Sequence, residues 1–175
     1  MLFCNNILQN IMDAKIVAGY TANNPDDAVS IAKALYDGGI KAIEFTLRTE
    51  SSLEGMKKIC SSVPDIIKGI GTILNYDQLI SCKDAGADFG VAPGLNTYII
   101  ESAEEINFSF APGIVTPSEI ELAVELGCRE LKFFPAEPSG GIKYLRSMYA
   151  PYAHLGLQFL PLGGINAANM AGYLF

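Results

Sequence analysis

The chain has 175 residues, half of them apolar, and a formal net charge of −7. This length is enough for one domain with a buried core. The acidic balance argues against a nucleic-acid partner, because binding to phosphate backbones needs basic surface. No stretch reaches the ~18–20 consecutive apolar residues that a membrane helix needs, so we expect no membrane partner either.

The cysteines are dispersed, at Cys4, Cys60, Cys82 and Cys128, and His154 is the only histidine. A zinc site usually needs clustered cysteines and histidines, so we predict no metal site and no cofactor. The spacing does not require a disulfide, and the amino-terminal segment lacks the pattern of a signal peptide. We therefore expect a cytoplasmic protein with free thiols.

The amino-terminal segment has helical spacing. Phe3, Ile7 and Ile11 recur every four residues, which is typical of one apolar face of a helix. The spacing predicts a short lid helix over residues 1–13.

From residue 15 onward, β-rich runs alternate with helical patterns, and glycines such as Gly86 and Gly127 stand where helices end. The predicted strands are 15–20, 40–46, 66–71, 87–92, 108–112, 129–134 and 158–162. The predicted helices are 25–37, 50–61, 75–85, 96–105, 116–126, 139–149 and 166–174. Asn24, Asn75, Thr116 and Asn166 stand at predicted helix starts. The alternation indicates parallel strands joined by right-handed crossovers.

Two architectures fit this alternation. A doubly wound sheet usually carries a nucleotide-binding loop, and neither G-x-G-x-x-G nor G-x-x-x-x-G-K-[ST] occurs here. A (β/α)8 TIM barrel carries its functional residues at the carboxyl ends of its strands. Residues of that kind are Glu44, Arg48, Thr72, Pro93, Lys132, Gly163 and Gly164. We predict an α/β protein with a single (β/α)-barrel domain over 1–175. Seven strand–helix units are visible, so we expect the eighth to be missing from this chain.

Lys132 lies in the apolar run LKFF. Alternation places Leu131 and Phe133 toward the helices, and Lys132 and Phe134 toward the interior. Removal from water disfavours the ammonium form of lysine, and the neutral amine is the form that attacks a carbonyl carbon. Lys132 is therefore a candidate nucleophile, and a structural ion pair with an acid is the alternative.

Glu44 lies in the run AIEFTL. Alternation places Ile43 and Phe45 outward, and Glu44 and Thr46 inward, so Glu44 matches Lys132 on another strand. A carboxylate at that position can transfer the protons that Schiff-base formation needs. The alternative is that Glu44 only neutralises Lys132.

Anion-binding residues are predicted in two places. Arg48 has a guanidinium that suits a carboxylate, and Thr72 offers one hydroxyl. Gly163 and Gly164 precede a predicted helix start, where free backbone N–H groups bind phosphate. An ordinary tight turn is the alternative for the glycine pair.

Six motifs follow one another along the chain: EFTLRT, GIGTIL, VAPGL, APGIVTPSE, LKFFPAE and PLGGIN. In this order they resemble the 2-keto-3-deoxy-6-phosphogluconate (KDPG) aldolases, which are also 4-hydroxy-2-oxoglutarate (KHG) aldolases. The resemblance implies a trimeric class I aldolase without a metal. It also implies cleavage of a 2-keto acid to pyruvate and an aldehyde, which for KDPG is a step of the Entner–Doudoroff pathway.

The resemblance also implies residue roles. Lys132 matches the Schiff-base lysine, and Glu44 matches the general acid/base. Arg48 and Thr72 match carboxylate-binding positions. The matches to the pocket wall and to half of the phosphate site are Pro93, Phe134, Gly163 and Gly164.

The chain departs from the family pattern in two places. Leu162 stands where the family often has threonine, which leaves the preferred aldehyde open. The eighth strand, whose Gly-Gly-Ser turn completes the family's phosphate site, is not in the sequence. An isomerase or epimerase of phosphosugars on the same barrel, or a truncated non-catalytic barrel subunit, are the alternative functions.

Overall fold

The computed structural model describes residues 6–174, except the side chains of Asn6 and Leu8, so Phe3 and Cys4 lie outside the described part of the chain. The α-helices are α1 (Asn6–Ala14), α2 (Pro25–Asp37), α3 (Ser52–Ser62), α4 (Tyr76–Asp84), α5 (Thr97–Glu105), α6 (Pro117–Glu125) and α7 (Gly141–Tyr149). The strands are β1 (Val17–Tyr20), β2 (Ala42–Thr46), β3 (Ile67–Gly71), β4 (Phe89–Val91), β5 (Ser109–Ala111), β6 (Gly113–Ile114), β7 (Glu130–Phe133) and β8 (Gln158–Pro161). Short 3-10 helices span Ala150–Leu155 and Met170–Tyr173.

Every strand pair in the described residues is parallel, which confirms the predicted α/β class. β1 to β5 form one sheet in chain order, and β6 to β8 form a second. The predicted strand 108–112 is divided at Pro112, which has no N–H to donate to a ladder. Its carbonyl still accepts a hydrogen bond from the backbone N–H of Lys132, at 2.8 Å, so Pro112 links the two sheets.

Three of the predicted helix starts are confirmed. The side-chain oxygens of Asn24, Asn75 and Thr116 each accept a hydrogen bond from the backbone N–H three residues further on. Each bond satisfies an N–H that the helix itself leaves unpaired. The helices therefore begin close to the positions that the sequence indicated.

The predicted helix 166–174 is wrong. The structure has only the 3-10 helix Met170–Tyr173 there. The Asn166 side chain accepts a bond from the backbone of Ala168, and the Asn169 side chain accepts one from the backbone of Asn166. Such local bonds offer the backbone an alternative to a helix, so the segment forms turns.

Each sheet buries both faces. Outward residues such as Ile43, Phe45 and Phe133 pack against the helices and are at most 1% exposed. Inward residues, among them Phe89 and Leu160, form a second cluster that contains Ile11 of α1. The alternation predicted for these strands is therefore confirmed.

α1 lies at the amino end of the strands. Residues 15–16 are all that separate it from β1, and Ile11 is 2% exposed within the inner cluster. Val17 and Ile67, the first residues of β1 and β3, pack against the same cluster. The helix predicted as a lid therefore closes the amino end of the interior, which leaves the carboxyl ends of the strands accessible. No helix among residues 6–174 is long and apolar enough to cross a membrane.

Candidate active site

A buried ion pair joins β7 to β2 across the interior. The Nζ of Lys132 donates a hydrogen bond of 3.0 Å to Oε1 of Glu44. The two residues are 3% and 5% exposed, so the pair is almost fully removed from water. The two inward positions that the sequence singled out on separate strands are thus in direct contact.

Glycines make room for this pair. Gly71 on β3 lies so close to Glu44 that a Cβ at Gly71 would stand 1.8 Å from Oε1. Gly19 on β1 is opposite Glu44 in the register, and a Cβ there would stand 3.1 Å from Oε2. The carboxylate therefore occupies space that larger residues would fill. Sequence reasoning assigned no role to either glycine, although glycine inside a strand often marks such a close approach.

Two groups lie directly beside the Lys132 amine. In addition to the Glu44 carboxylate, the Phe134 ring lies with its centroid 4.9 Å from Nζ, which is within the range of a cation–π contact. Because the amine and the carboxylate share a direct hydrogen bond, a proton can pass between them and leave a neutral amine beside a carboxylic acid. The pair can thus supply both a nucleophile and a proton donor.

A second buried lysine, Lys68, has a different environment. Its Nζ donates to the carbonyls of Pro64 and Ile66 and pairs with Asp88 at 3.2 Å. Lys68 is opposite Ile43 in the register of β2 and β3, on the helix-facing side of the sheet. Its bonds fix it to the amino end of β3, away from the interior.

The loops after β2 and β3 meet through Arg48 and Thr72. The Nε of Arg48 donates to Oγ1 of Thr72 at 3.3 Å, and the backbone N–H of Leu47 donates to the carbonyl of Gly71. Thr72 has a φ of 71°, which is rare for a β-branched residue and costs about 1–3 kcal/mol. In this conformation the Thr72 hydroxyl contacts the Arg48 guanidinium.

A cavity of about 1220 Å³ contains the ion pair. Six of the predicted site residues line it, namely Glu44, Arg48, Lys132, Phe134, Gly163 and Gly164. Thr72 and Pro93 lie outside this lining, although Thr72 contacts Arg48. Pro93 instead packs by its backbone against Gly113, where a Cβ would stand 2.4 Å from the Pro93 carbonyl.

Thr21, Thr46 and Leu162 also line the cavity, and neither threonine had a role assigned from the sequence. Thr46 is two positions after Glu44 on the same face, and its hydroxyl lies 2.5 Å from that of Thr21. Leu162 follows β8 and approaches Gly19, with 3.8 Å from its Cδ2 to a Cβ placed there. Strand alternation identifies Thr46 as inward, but the sequence contains no signal for Thr21.

Gly163 and Gly164 both have a left-handed backbone, with φ of 97° and 84°. The loop that carries them packs against the segment after β7. The carbonyl of Gly163 accepts a bond from the backbone N–H of Glu137, and a Cβ at Gly164 would stand 2.7 Å from the Cβ of Glu137. The glycines thus bring the loops after β7 and β8 together at the cavity.

The remaining titratable groups do not form a second centre. Among residues 6–174, no group of three or more His, Cys, Asp or Glu residues could hold a metal ion. Cys60, Cys82 and Cys128 are free, and burial raises the pKa of the Cys82 and Cys128 thiols to about 12. These two thiols are therefore uncharged and unreactive at neutral pH.

Comparisons with known proteins agree with this geometry. The sequence profile described as KDPG and KHG aldolase matches residues 7–175. The chain is 38% identical over 168 residues to a 2-dehydro-3-deoxy-phosphogluconate aldolase of Haemophilus influenzae, covering 96% of this chain and 78% of the relative. It is 42% identical over 149 residues to a KHG/KDPG aldolase of Escherichia coli, covering 85% and 69%.

A solved structure gives the same result. The crystal structure of 2-keto-3-deoxy-6-phosphogluconate aldolase from Zymomonas mobilis superimposes with a TM-score of 0.87 at 34% identity, covering 94% of this chain and 80% of that one. An enzyme with a buried lysine–carboxylate pair inside a parallel-stranded sheet structure is thus the class that the site defines. The chain belongs to the KDPG and KHG aldolase family, as its motifs predicted.

The first testable prediction concerns the space beside Glu44. We expect Gly71→Ala to displace the carboxylate from Lys132 and to lower the free energy of unfolding by ~1–3 kcal/mol, the usual cost of overpacking. Gly172→Ala is the control, because nothing lies within 4 Å of a Cβ there. Denaturant unfolding of both variants gives the comparison, and equal free energies would contradict the assigned role of Gly71.

Proposed function

We propose that this aldolase cleaves a 4-hydroxy-2-keto acid to pyruvate and an aldehyde through a Schiff base on Lys132. The substrate is KDPG, KHG or both. The observation that carries the proposal is the hydrogen bond between Lys132 and Glu44 inside the cavity. An isomerase or epimerase would use such an amine as a proton acceptor and not as a nucleophile, so covalent trapping of pyruvate on Lys132 separates the two functions.

The chemistry follows from the pair. Lys132 transfers its proton to Glu44, and the neutral amine attacks the C2 keto carbon of the substrate to give a carbinolamine. Loss of water from the carbinolamine, with Glu44 donating the proton, gives a protonated Schiff base. Glu44 then removes the proton of the C4 hydroxyl. The C3–C4 bond breaks, its electrons move into the iminium to form an enamine, and the aldehyde leaves.

The second half of the cycle releases pyruvate and restores the free lysine. Glu44 returns its proton to C3 of the enamine, and water hydrolyses the resulting Schiff base to release pyruvate and Lys132. A related structure supports the first step. The crystal structure of KDPG aldolase from Legionella pneumophila contains pyruvate captured at low pH as a covalent carbinolamine intermediate. That enzyme is 30% identical to this chain with a TM-score of 0.85, and the match covers 90% of this chain and 76% of that one.

The remaining site residues bind the substrate. Arg48 lines the cavity and can hold the carboxylate of the keto acid, and its contact with Thr72 orients the guanidinium. Phe134 forms a wall beside the Lys132 amine. Pro93, also assigned to the pocket wall, packs by its backbone against Gly113 and lies outside the cavity lining.

Phosphate binding is proposed at Gly163 and Gly164. Both glycines line the cavity and have a left-handed backbone, so this part of the loop after β8 presents main-chain atoms without side chains. Because no α-helix begins at Asn166, the anion would be held by the backbone N–H groups of the loop itself. Leu162, immediately before them, presents only methyl groups to the cavity, so a hydroxyl of the aldehyde half finds no hydrogen-bond partner in its side chain.

For the architecture, we propose a (β/α)8 barrel with an open seam between β1 and β8. The strand order and the approach of Leu162 to Gly19 support it. The eighth strand–helix unit expected for such a barrel would occupy the seam. The resemblance to the family makes a homotrimer the assembly that we propose, and Leu74, Tyr76 and Tyr98 are exposed apolar side chains that association would cover. The cytoplasm and the Entner–Doudoroff pathway fit the substrates proposed.

The second prediction concerns Lys132. Treatment with pyruvate and borohydride should attach a reduced pyruvyl group to Lys132, because only a Schiff base is reduced to a stable amine. Lys132→Arg keeps a charge beside Glu44 but cannot form the Schiff base, so it should give no adduct. Lys68→Arg is the matched control at the other buried lysine and should still be labelled. Peptide mass spectrometry that locates the adduct on Lys68 would contradict the mechanism.

The third prediction concerns Glu44. Glu44→Gln should lower kcat by ~10²–10⁴-fold, the usual contribution of a general acid/base. Pyruvate should still bind, because its carboxylate contacts Arg48. Glu104→Gln makes the same change on an exposed helix surface and should leave kcat unaltered. Steady-state kinetics measures both variants. If the Glu44 variant turns over at a near-normal rate, then Glu44 has only a structural role.

The fourth prediction concerns phosphate. Gly164→Ala places a Cβ against Glu137 and should shift the loop, so that one charge-assisted hydrogen bond worth about 1.5–3 kcal/mol is lost. The KM for KDPG should then rise ~10–100-fold, and the KM for KHG, which has no phosphate, should change little. Gly156→Ala is the control, since its φ of 67° is also left-handed but it lies in open space. Equal changes for both substrates would place phosphate elsewhere.

A further inference from the structure

Arg48 is an exposed residue in the loop between β2 and α3, and its side chain donates a hydrogen bond to the hydroxyl of Thr72. A long side chain on a loop can bind a carboxylate in a defined direction only if its backbone is fixed. The question is therefore which residues hold residues 47–51 in place.

Three residues with hydroxyl side chains, Thr49, Ser51 and Ser52, follow Arg48 in the sequence. Ser52 is fully buried, and its Oγ donates to the carbonyl of Thr46 at 3.1 Å, the last residue of β2. The same oxygen accepts a bond from the backbone N–H of Thr49 at 3.1 Å. Since the carbonyl of Thr46 also accepts from the backbone N–H of Arg48 at 3.0 Å, Ser52 ties both sides of Arg48 to the strand.

Two further hydroxyls attach the loop to the neighbouring β1–α2 connection. Thr49 Oγ1 donates to the carbonyl of Ala22 at 3.1 Å, and Ser51 Oγ donates to the carbonyl of Asn23 at 3.0 Å. Each hydroxyl has one proton, so these bonds use the donor capacity of both side chains. The loop is thereby held between β2 and the loop after β1.

These bonds are not ordinary helix capping. Ser51 occupies the N-cap position of α3, yet its side chain makes no hydrogen bond to the helix. Ser52 likewise directs its hydroxyl back to Thr46 and Thr49. A serine at a helix start usually caps the N–H groups of the first turn. Here the hydroxyls serve the loop that carries Arg48 instead.

We propose that Ser52 is a positioning residue that holds the backbone of Arg48 so that its guanidinium meets the carboxylate of the keto acid. The inference rests on the proposed function, because it takes Arg48 as the carboxylate-binding residue. Ser52 is outside the cavity lining and acts only through the loop. Its contribution is therefore to substrate affinity and not to the chemistry at Lys132.

The experiment measures reductive trapping of Lys132 at varied pyruvate concentrations. Ser52→Ala should raise the half-saturating pyruvate concentration ~10-fold, which corresponds to the loss of one fixed hydrogen bond. The trapping rate at saturating pyruvate should stay within about twofold of wild type, because the ion pair is intact. Ser102→Ala is the matched control; Ser102 is 2% exposed and its hydroxyl bonds only within α5, to Tyr98.

A double-mutant cycle with Arg48→Ala separates positioning from a general structural effect. If Ser52 acts through Arg48, then Ser52→Ala should add nothing to the half-saturating concentration in the Arg48→Ala background. An equal shift in both backgrounds would overturn the proposal, as would no shift in the wild-type background. Thr49→Val removes the tether to Ala22 from a partly exposed position and gives the same test if Ser52→Ala does not fold.

Failure of the proposed function gives a different result. Absence of a Lys132 adduct in the wild-type protein would refute the Schiff-base mechanism itself. An adduct whose half-saturation is raised by Arg48→Ala, but by neither Ser52→Ala nor Thr49→Val, would refute only the positioning role.

Discussion

The hydrogen-bonded ion pair of Lys132 and Glu44 is the constraint on which the rest of the structure depends. Two charges removed from water are costly, and breaking such a pair by removing one partner costs about 3–5 kcal/mol. The pair is retained because the two groups satisfy each other at 3.0 Å. β2 and β7 must therefore be positioned so that the side chains of Glu44 and Lys132 meet in the interior.

The fold meets this requirement with backbone devices. Gly71 and Gly19 leave the space that the carboxylate occupies, on the two strands next to β2. Pro112 divides the long fifth strand, and its carbonyl fixes the backbone of Lys132. α1 closes the amino end through Ile11. The cavity extends from α1 to the loops after β2 and β8, so the polar pair is buried in the protein and still lines a space that can hold a small acid.

Much of this could be predicted from the sequence, because it depends on local rules. Period-two alternation places Glu44 and Lys132 inward, and capping side chains mark helix starts at Asn24, Asn75 and Thr116. The prediction of a helix over 166–174 failed because side chains there form hydrogen bonds with the backbone that compete with helix formation. Asn166 looks like a helix cap, but Asn166 and Asn169 fold the backbone into turns.

Contacts between loops left no sequence signal. The contact of Thr21 with Thr46 joins residues that are distant in the chain. The return of the Ser52 hydroxyl to β2 depends on a turn that composition does not specify. The two buried lysines differ for the same reason, since only the structure shows that Lys68 is held by Asp88 and two carbonyls.

The left-handed conformation of Thr72 has a consequence for the evolution of this chain. Glycine or asparagine at that position would relieve the backbone strain and make the loop after β3 more stable. Either substitution would also remove the hydroxyl that contacts Arg48. Selection for stability alone would therefore favour losing Thr72, whereas selection for the substrate binding proposed for Arg48 would preserve it. Under that proposal stability and activity are opposed at position 72, and a stabilised variant found by screening for heat resistance should be checked there first.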